Sequence, residues 1–187
     1  FMVRLKYLFL MLLFCLLLLL GQVEEENNSC RKIWFTYNLG ISGTEIEKDD
    51  WTSGLYYCLG LNVSSRNNNI KIKYTHNMLG GLYTEFSQRV YDFGILYGLK
   101  PNFKNGNVII SGGISLVSGY YYKHNYVDSI GYIYEKKSFN SVGIPLELQF
   151  DWNTFKKVGI GISIFGNLNF EKLFYGAGLN VNIGSLK

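Results

Sequence analysis

Few residue types in this sequence could perform chemistry on a substrate. The chain has two histidines, His76 and His124, and neither has a cysteine or a second histidine at a metal-ligand spacing. His76 stands between Thr75 and Asn77, so a hydrolytic triad would have to draw its serine and its acid from other segments. No glycine-rich loop follows a strand and opens a helix, as a phosphate-binding loop would. The sequence therefore predicts no catalytic residue, no metal site and no cofactor, and we expect a protein that is not an enzyme.

Other ionisable residues lie in segments where apolar residues occupy every second position. Lys73 follows Ile72, and Glu147 precedes Leu148, in the same alternating pattern. A period of two is typical of a β-strand with two different faces. Buried charges need partners, so these groups predict either an internal hydrogen-bonded network or a path for protons or solutes. The residues that we assign to the inner face include Tyr56, Lys71, Lys73, Asp92, Glu147, Gln149, Asp151, Phe165 and Phe174.

The opposite parity of these segments is apolar. From Ser141 to Trp152, valine, isoleucine, leucine and aromatic residues alternate with glycine, proline and polar residues. Small and polar residues would make a poor core, so we expect the apolar face to contact a lipid bilayer. Outward aromatic residues near strand ends, Tyr91 and Tyr175 at one rim and Phe35 and Trp152 at the other, fit the interfacial belts of membrane barrels.

The same alternation, followed through the chain, predicts eight strands. An even number returns the chain to its starting side and lets the sheet close. The predicted fold is therefore all-β, an eight-stranded antiparallel up-and-down transmembrane β-barrel that its own inward side chains can fill. The predicted strands are Ile33 to Ser42, Thr52 to Ser64, Asn69 to Leu79, Arg89 to Leu99, Val108 to Ser118, Ser141 to Trp152, Val158 to Ile164 and Leu173 to Gly184.

The predicted links alternate in length, as in barrels with short periplasmic turns and longer outer loops. Pro145 cannot donate to a strand ladder, so we expect it near the outer rim, where a bulge or the end of pairing absorbs it. The longer links are Gly43 to Trp51, Gly80 to Gln88 and Gly119 to Asn140, and the shorter ones are Ser65 to Asn68, Lys100 to Asn107 and Asn153 to Lys157.

The start of the chain has the composition of a secretion signal. Arg4 and Lys6 precede an apolar run of 14 residues, Tyr7 to Leu20. A helix that spans a bilayer needs about 20 residues, so we predict a cleaved signal peptide with a signal helix. The predicted organisation is a signal over residues 1–22, a short segment over 23–32 and the barrel over 33–187. Removal of the signal leaves 16 basic and 14 acidic residues, which gives no electrostatic reason to expect nucleic-acid binding.

Two cysteines, Cys30 and Cys58, follow the predicted signal. If the first two strands pair across Gly43 to Trp51, Thr36 lies opposite Cys58, and Cys30 lies about six residues further along, at about 3.3 Å per residue. That separation is too large for a disulfide. We therefore expect two unpaired thiols, with Cys58 filling the interior.

The chain resembles the small eight-stranded outer-membrane barrels of the OmpX and OmpA-transmembrane type, in the variant common in Bacteroidota. The resemblance covers roughly Ile33 to Lys187. It rests on the strand Ser141-Val142-Gly143-Ile144-Pro145-Leu146-Glu147-Leu148 after a tyrosine-rich link, and on Gly176-Ala177-Gly178-Leu179-Asn180-Val181-Asn182-Ile183-Gly184. It implies a monomer in the bacterial outer membrane, in contact with its lipid and inserted by the barrel-assembly machinery. The sequence departs from the family's usual aromatic ending, because it finishes Ser185-Leu186-Lys187.

The link from Gly119 to Asn140 is the predicted binding surface, for an extracellular protein or another surface partner. Clustered tyrosines offer a large contact area at a low conformational cost. The alternative is that this segment extends two strands beyond the membrane, with tyrosines stacked across a hairpin. The candidate residues are Tyr120, Tyr121, Tyr122, His124, Tyr126, Tyr132 and Tyr134.

Three functions compete on this sequence. The first is a non-enzymatic outer-membrane barrel with a largely plugged lumen and a structural or adhesive role. The second is a soluble lipocalin-like barrel for a small apolar ligand, although lipocalins turn apolar residues inward and Lys32-Ile33-Trp34 lacks their usual glycine. The third is an outer-membrane enzyme that modifies lipid A, in which His76 would be the catalytic candidate.

Overall fold

Nine β-strands lie in the part of the chain that the computed structural model describes. The structure describes residues 31–47, 50–65, 67–80, 88–103, 106–127, 131–152 and 157–185, so the predicted signal lies outside the described residues. Among these residues, no helix is long and apolar enough to cross a membrane. The strands are β1 (Lys32–Glu47), β2 (Asp50–Ser65), β3 (Asn68–Leu79), β4 (Gln88–Leu99), β5 (Asn102–Phe103), β6 (Gly106–Val127), β7 (Gly131–Trp152), β8 (Val158–Asn169) and β9 (Phe174–Gly184).

Eight of these strands close into a barrel. Each long strand pairs antiparallel with its neighbours in the chain, β1 pairs with β9, and β4 pairs with β6, so the ring is complete. The two-residue strand β5 pairs with the start of β6. The predicted eight-stranded up-and-down barrel is confirmed. We call the end where β1 begins the lower end, and the end where β1 finishes the upper end.

The strands are staggered, which fixes their tilt. A row of directly paired residues that leaves β1 at Lys32 returns to β1 at Ser42, ten residues further along. A stagger of this kind requires strongly tilted strands and sets the barrel diameter. The row passes through Lys32, Ser64, Asn69, Gly98, Ser111, Glu147, Phe165, Gly176 and Ser42.

Several strands are longer than predicted at the upper end. Strands β1 and β2 continue to Glu47 and from Asp50, so the predicted loop from Gly43 to Trp51 is wrong. Strands β6 and β7 have 22 residues each and form a hairpin that covers most of the predicted link from Gly119 to Asn140. The extension of the two strands is therefore correct. The apolar alternation stops where the strands leave the predicted apolar band, although the pairing does not.

The pairing of β1 with β2 differs from the prediction by two residues. Thr36 pairs with Gly60, and Cys58 pairs with Asn38. The error follows from the length predicted for the link between β1 and β2. We predicted a link of nine residues, Gly43 to Trp51, whereas only two residues separate the strands, and link length determines the register in which two strands pair. A shift of two leaves every side chain on its predicted face, and Cys58 is a buried free thiol as expected.

The two faces of the barrel have the predicted polarity. Outward residues are apolar and exposed, among them Leu179 at 70% and Ile114 at 69%. Inward residues include charged groups that are almost completely buried, such as Lys73 at 1% and Asp92 at 0%. All nine residues that the sequence assigned to the inner face are buried. The inside of this barrel is thus more polar than its outside.

Pro145 lies within β7, and its predicted place near the start of that strand is wrong because β7 begins at Gly131. Pro145 pairs with Asn167 of β8, but the pairing with β6 is interrupted between Gly112–Leu146 and Ser115–Gly143. The register is the same on both sides of the gap, so there is no bulge. The missing N–H of proline is absorbed by a local loss of pairing.

A charged cluster occupies the middle of the lumen. The Lys71 ammonium forms a salt bridge with Glu147 and donates to Gln149 Oε1 at 3.2 Å. The Lys73 ammonium lies 3.7 Å from carboxylate oxygens of both Glu147 and Asp92. Every charge in this cluster therefore faces an opposite charge, as groups removed from water require.

Hydrogen-bonded side chains line the adjoining wall. Asn38 donates to Ser163 and Asn180, and its own Oδ1 accepts from the Tyr56 hydroxyl at 2.6 Å. Below it, Asn62 donates to Thr36 Oγ1 at 2.9 Å. These contacts connect the side chains of four consecutive strands of the wall, β8, β9, β1 and β2. The predicted internal hydrogen-bonded network is present.

Apolar side chains fill the lumen above and below the charges. The upper cluster contains Tyr56, Cys58, Leu79, Val90, Val117, Phe139, Phe165 and Phe174, and the lower one contains Trp34 and Ile109. The Tyr56 and Phe165 rings meet edge to face at 4.7 Å between centroids. The charged cluster is thus held between two apolar layers, where its groups must satisfy one another.

We predict that Lys71→Met destabilises the folded barrel by about 3 to 5 kcal/mol, because it leaves a buried carboxylate on Glu147 without its closest cation. The measurement is a urea titration of the protein in lipid vesicles, followed by the difference in gel mobility between folded and unfolded forms. The double variant Lys71→Met, Glu147→Gln should recover most of the loss. Lys157→Met, at an exposed residue, is the matched control. Equal losses in the single and double variants would show that the two groups are not coupled.

Candidate functional site

The lower mouth of the lumen is closed by a lysine on an aromatic ring. Lys100 is buried in the turn after β4, and its Nζ lies 4.9 Å from the centroid of Trp34. The Lys100 backbone N–H also donates to the Asn67 carbonyl at 2.6 Å, which joins two turns. Burial, followed by the nearby charge of Lys32, lowers the pKa of Lys100 to about 8. Its position over the ring fits a cation–π contact.

The upper mouth is closed in a similar way. Tyr121 of β6 packs against Phe139, with 6.1 Å between ring centroids, and Lys172 Nζ lies 3.9 Å from the centroid of Tyr121. Asn169 holds the turn that carries Lys172, because its Oδ1 accepts from the backbone N–H groups of Glu171 at 3.1 Å and Lys172 at 2.8 Å. Both mouths thus combine a lysine with an aromatic side chain.

The lumen is therefore a poor candidate for a binding or transport site. The charges of Lys71, Lys73, Asp92 and Glu147 are paired with one another and lie between apolar layers. The alternative of a proton or solute path would need a continuous polar route from mouth to mouth. The described side chains interrupt such a route at Trp34 and at Phe174, which are 1% and 0% exposed.

The hairpin of β6 and β7 projects beyond its neighbours. The pairing of β4 with β6 ends at Arg89–Tyr120, and the pairing of β7 with β8 ends at Gly143–Asn169. Above these pairs, the described parts of β6 and β7 pair with each other alone. The hairpin therefore has two strand edges that no other described strand pairs with, while its inward face at Tyr121 and Phe139 packs into the upper mouth.

The predicted binding residues are divided between the two faces of this hairpin. Tyr120 and Tyr122 stand at the outward parity, with 6.2 Å between their ring centroids, whereas Tyr121 is inward and belongs to the upper mouth. The register pairs His124 with Tyr134 and Tyr126 with Tyr132, at the parity of Tyr122. The side chains of these last four residues lie outside the described residues. The structure thus brings Tyr120 and Tyr122 together and removes Tyr121 from the candidate surface.

Two cations beside these tyrosines were not predicted. Lys136 pairs with Tyr122 across the hairpin, and its Nζ lies 3.9 Å from the centroid of Tyr120. Arg89 pairs with Tyr120 from the other side. Both cationic side chains are exposed. The sequence alone does not place Arg89 and Lys136 beside Tyr120, because neither is close to it along the chain. Their positions follow only once the strand register is known.

His76 lies on the outward face of β3 between two tyrosine rings. Its ring stacks on Tyr91 at 4.6 Å and meets Tyr57 edge-on at 5.2 Å. Neither ring nitrogen has a hydrogen-bond partner. A catalytic histidine needs a nucleophile on one nitrogen and an orienting group on the other. Among the described residues, His76 has neither, and no three potential metal ligands lie together.

Known structures with the same architecture are barrels of bacterial outer membranes. Neisserial surface protein A is 9% identical over 81% of this chain and 96% of its own, with a TM-score of 0.63. Ail, the attachment invasion locus protein of Yersinia pestis, is 7% identical over 82% of this chain and 97% of its own, with a TM-score of 0.56. The N-terminal barrel domain of Pseudomonas aeruginosa OprF is 10% identical over 81% and 96%, with a TM-score of 0.53.

No protein-family model and no curated relative matches the sequence. At identities near 10% the structural likeness speaks for the fold, and the narrower resemblance to the Bacteroidota variant stays a prediction. The chain has the fold of the small eight-stranded outer-membrane β-barrels.

Proposed function

We propose that the protein is a non-enzymatic barrel of the bacterial outer membrane that presents the β6–β7 hairpin as its interaction surface. The inverted distribution of polarity supports this proposal most strongly. Lys71, Lys73 and Glu147 are buried inside, while leucine, isoleucine and valine side chains are exposed outside. Soluble proteins rarely expose a continuous apolar surface of this kind. The hydrocarbon of a lipid bilayer would keep this apolar surface out of water.

The dimensions of the barrel agree with this proposal. Strands β3, β4 and β8 have 12 residues and β9 has 11. Tilted strands of about 9 to 11 residues cross the apolar band of an outer membrane, which is about 25 Å tall. A soluble lipocalin-like barrel would need an apolar interior to hold its ligand. The charged lumen found here argues against that alternative.

The proposal includes the route and the orientation. A signal peptide over residues 1–22 would send the chain to the periplasm, and the barrel-assembly machinery would insert it. The long hairpin then projects outward, since outer-membrane barrels carry their longer extensions on the extracellular side. The lower end, where β1 begins and β9 finishes, faces the periplasm. The protein acts as a monomer, because the closed sheet needs no second copy to pair its barrel strands.

We predict that Ile164→Arg destabilises the folded protein in bilayers by about 2 to 4 kcal/mol, because Ile164 is exposed at the middle of β8, where a charge would meet hydrocarbon. Ser138→Arg is the matched control at an outward, exposed position of the hairpin. Its expected cost is within about 0.5 kcal/mol. The measurement is a refolding titration into vesicles. Equal tolerance of arginine at the two positions would contradict a lipid-facing surface.

Fractionation provides a direct test of localisation. The protein should sediment with outer membranes and should migrate faster on a gel when unboiled than when boiled, because a folded barrel stays compact. A protein that remains in the soluble periplasmic fraction would overturn the proposal. The same preparation would show whether residues 1–22 have been removed, by the mass of the mature chain.

The filled lumen also leads to a prediction about ion conductance. We predict that the purified protein conducts ions poorly in planar bilayers, because paired charges and apolar layers fill the interior. The variant Trp34→Ala, Phe174→Ala should raise the conductance more than Lys157→Ala, since only the first variant removes both side chains that interrupt the polar route. Large, steady conductance of the unchanged protein would show that the lumen is open.

The hairpin is the best-supported surface for recognition. Its outward face carries Tyr120, Tyr122 and Lys136, and above the barrel wall its two strands pair only with each other among the described strands. Ail, which shares the fold, has been crystallised with the heparin analogue sucrose octasulfate. An extracellular protein or surface polymer that contacts aromatic and cationic side chains would suit the hairpin described here. The arrangement of His76 between two rings gives no support to a lipid A-modifying enzyme.

We predict that replacing residues 122–136 with Asn-Gly abolishes surface binding without loss of folding. The new turn would join Tyr121 and Lys137, which already face each other across the hairpin, so the register is kept. Tyr121 remains packed on Phe139 and under Lys172. The measurements are adhesion of cells that display the protein and the heat-dependent gel mobility of the isolated barrel.

The control for this truncation is the variant Tyr120→Ser, Tyr122→Ser, which keeps the hairpin length and removes the exposed rings. Reduced adhesion in both variants supports recognition by this face. Undiminished adhesion in the truncated protein would place the interaction surface elsewhere. A truncated protein that fails to insert would show that the hairpin is needed for assembly.

A further inference from the structure

Three residues form a cationic patch at the base of the hairpin, on the outward surface. Arg89 of β4 and Tyr120 of β6 are direct cross-strand partners, and Lys136 of β7 places its Nζ 3.9 Å from the centroid of Tyr120. The side chains of Arg89 and Lys136 are both exposed. We call these three residues the rim patch.

Below the rim patch, the outward residues of β4, β6 and β7 become more apolar towards the lower end of the barrel. Tyr91 lies two residues below Arg89 on the same face of β4, where it stacks on His76. Below this level the outward residues of the same strands are apolar and exposed. They include Ile95 at 47%, Leu116 at 56% and Val142 at 53%. From bottom to top, these three strands therefore present an apolar surface, a level formed by Tyr91, Ser118 and Asn140, and then two cations.

The charge around the rim patch is not cancelled by a described carboxylate on the same face. Asp92, Glu147 and Asp151 are buried in the lumen. Glu135 stands at the opposite parity of β7 from Lys136, and Glu171 lies in the turn between β8 and β9. Arg89 and Lys136 thus share one surface with Tyr120 and present their charge outward.

We infer that the rim patch binds the anionic phosphate of a membrane lipid whose acyl chains lie on the apolar surface of β4, β6 and β7. The inference rests on the proposed membrane localisation. A guanidinium on β4 can hold two phosphate oxygens at once, and an ammonium on β7, on the other side of β6, can contact the third. The Tyr120 ring restricts Lys136 by a cation–π contact, which reduces the freedom lost on binding.

A lipid suits this site better than a free anion. Two exposed cations on an open sheet face attract a soluble phosphate weakly, because water and salt screen them. An acyl chain against Leu116 and Val142 would hold the headgroup at the height of the patch. Leu116 is four residues below Tyr120, or about 13 Å along β6 at 3.3 Å per residue. That spacing places the phosphate above the hydrocarbon and beside the cations.

The test uses the full-length mature protein in phosphatidylcholine nanodiscs that contain increasing fractions of phosphatidic acid. The amide NMR signals of Arg89, Tyr120 and Lys136 report occupancy of the site. We expect saturable shifts in the unchanged protein. Each of Arg89→Gln and Lys136→Gln should raise the half-saturating fraction about fivefold, as expected for one cation near a membrane surface. Added salt should raise it as well.

Two lysines serve as matched controls. Lys137→Gln changes the neighbouring residue at the opposite parity of the hairpin, and Lys157→Gln changes an exposed residue next to β8 at the lower end. Neither should alter the half-saturating fraction. Lys136→Arg should keep it within about twofold, since the charge is retained.

The outcomes separate the lipid site from the proposed localisation. A protein that does not enter nanodiscs contradicts the membrane localisation itself. An incorporated protein with no saturable shift at the rim patch contradicts the lipid site alone. Equal shifts on adding inorganic phosphate to pure phosphatidylcholine nanodiscs would show a site for free anions and overturn the lipid assignment. Equal effects of the Lys137 and Lys136 variants would overturn the assignment to this face.

Discussion

Closure of the backbone hydrogen-bond ladder is the constraint on which this structure depends. With β1 bonded to β9 and β4 to β6, the barrel wall has no free edge, and its polar backbone groups are paired within the sheet except at the gap between β6 and β7 beside Pro145. The alternation of side chains then follows, because each residue must point either to the lumen or to the surroundings. The stagger of ten residues sets the diameter, and the diameter decides which side chains the lumen can hold.

The lumen shows how a barrel of this diameter handles charge. An apolar interior would have removed the cost of burying Lys71, Lys73 and Glu147, and it would also have made both faces apolar. The polar interior keeps the two faces distinct, and the register is specified wherever the faces differ. Salt bridges and hydrogen bonds offset the desolvation of the buried groups. The lumen therefore contributes more to the choice of one register than to transport.

The alternation of apolar and polar residues determined how much of the fold and of the candidate surface could be predicted from the sequence. The faces of the residues were predictable, because parity survives an error of two in register, as Thr36 and Cys58 show. The lengths of β6 and β7 were not, since the apolar alternation disappears in their upper parts although the pairing continues. Tyr121 was therefore grouped with its neighbours, although the pleat turns it towards Phe139. Arg89 and Lys136 come together through pairing across strands, which composition does not reveal.

The unequal heights of the strands give the barrel two sides. Strands β8 and β9 stop near the rim, whereas β6 and β7 continue as a hairpin. In the proposed orientation, residues on the tall side would meet hydrocarbon, headgroups and the exterior in turn along one continuous pair of strands. Tyr120 belongs to the middle level and Tyr121 to the upper mouth, so adjacent residues of β6 serve different surroundings. A force on the hairpin would be transmitted to both the rim and the mouth, because the same backbone carries both side chains.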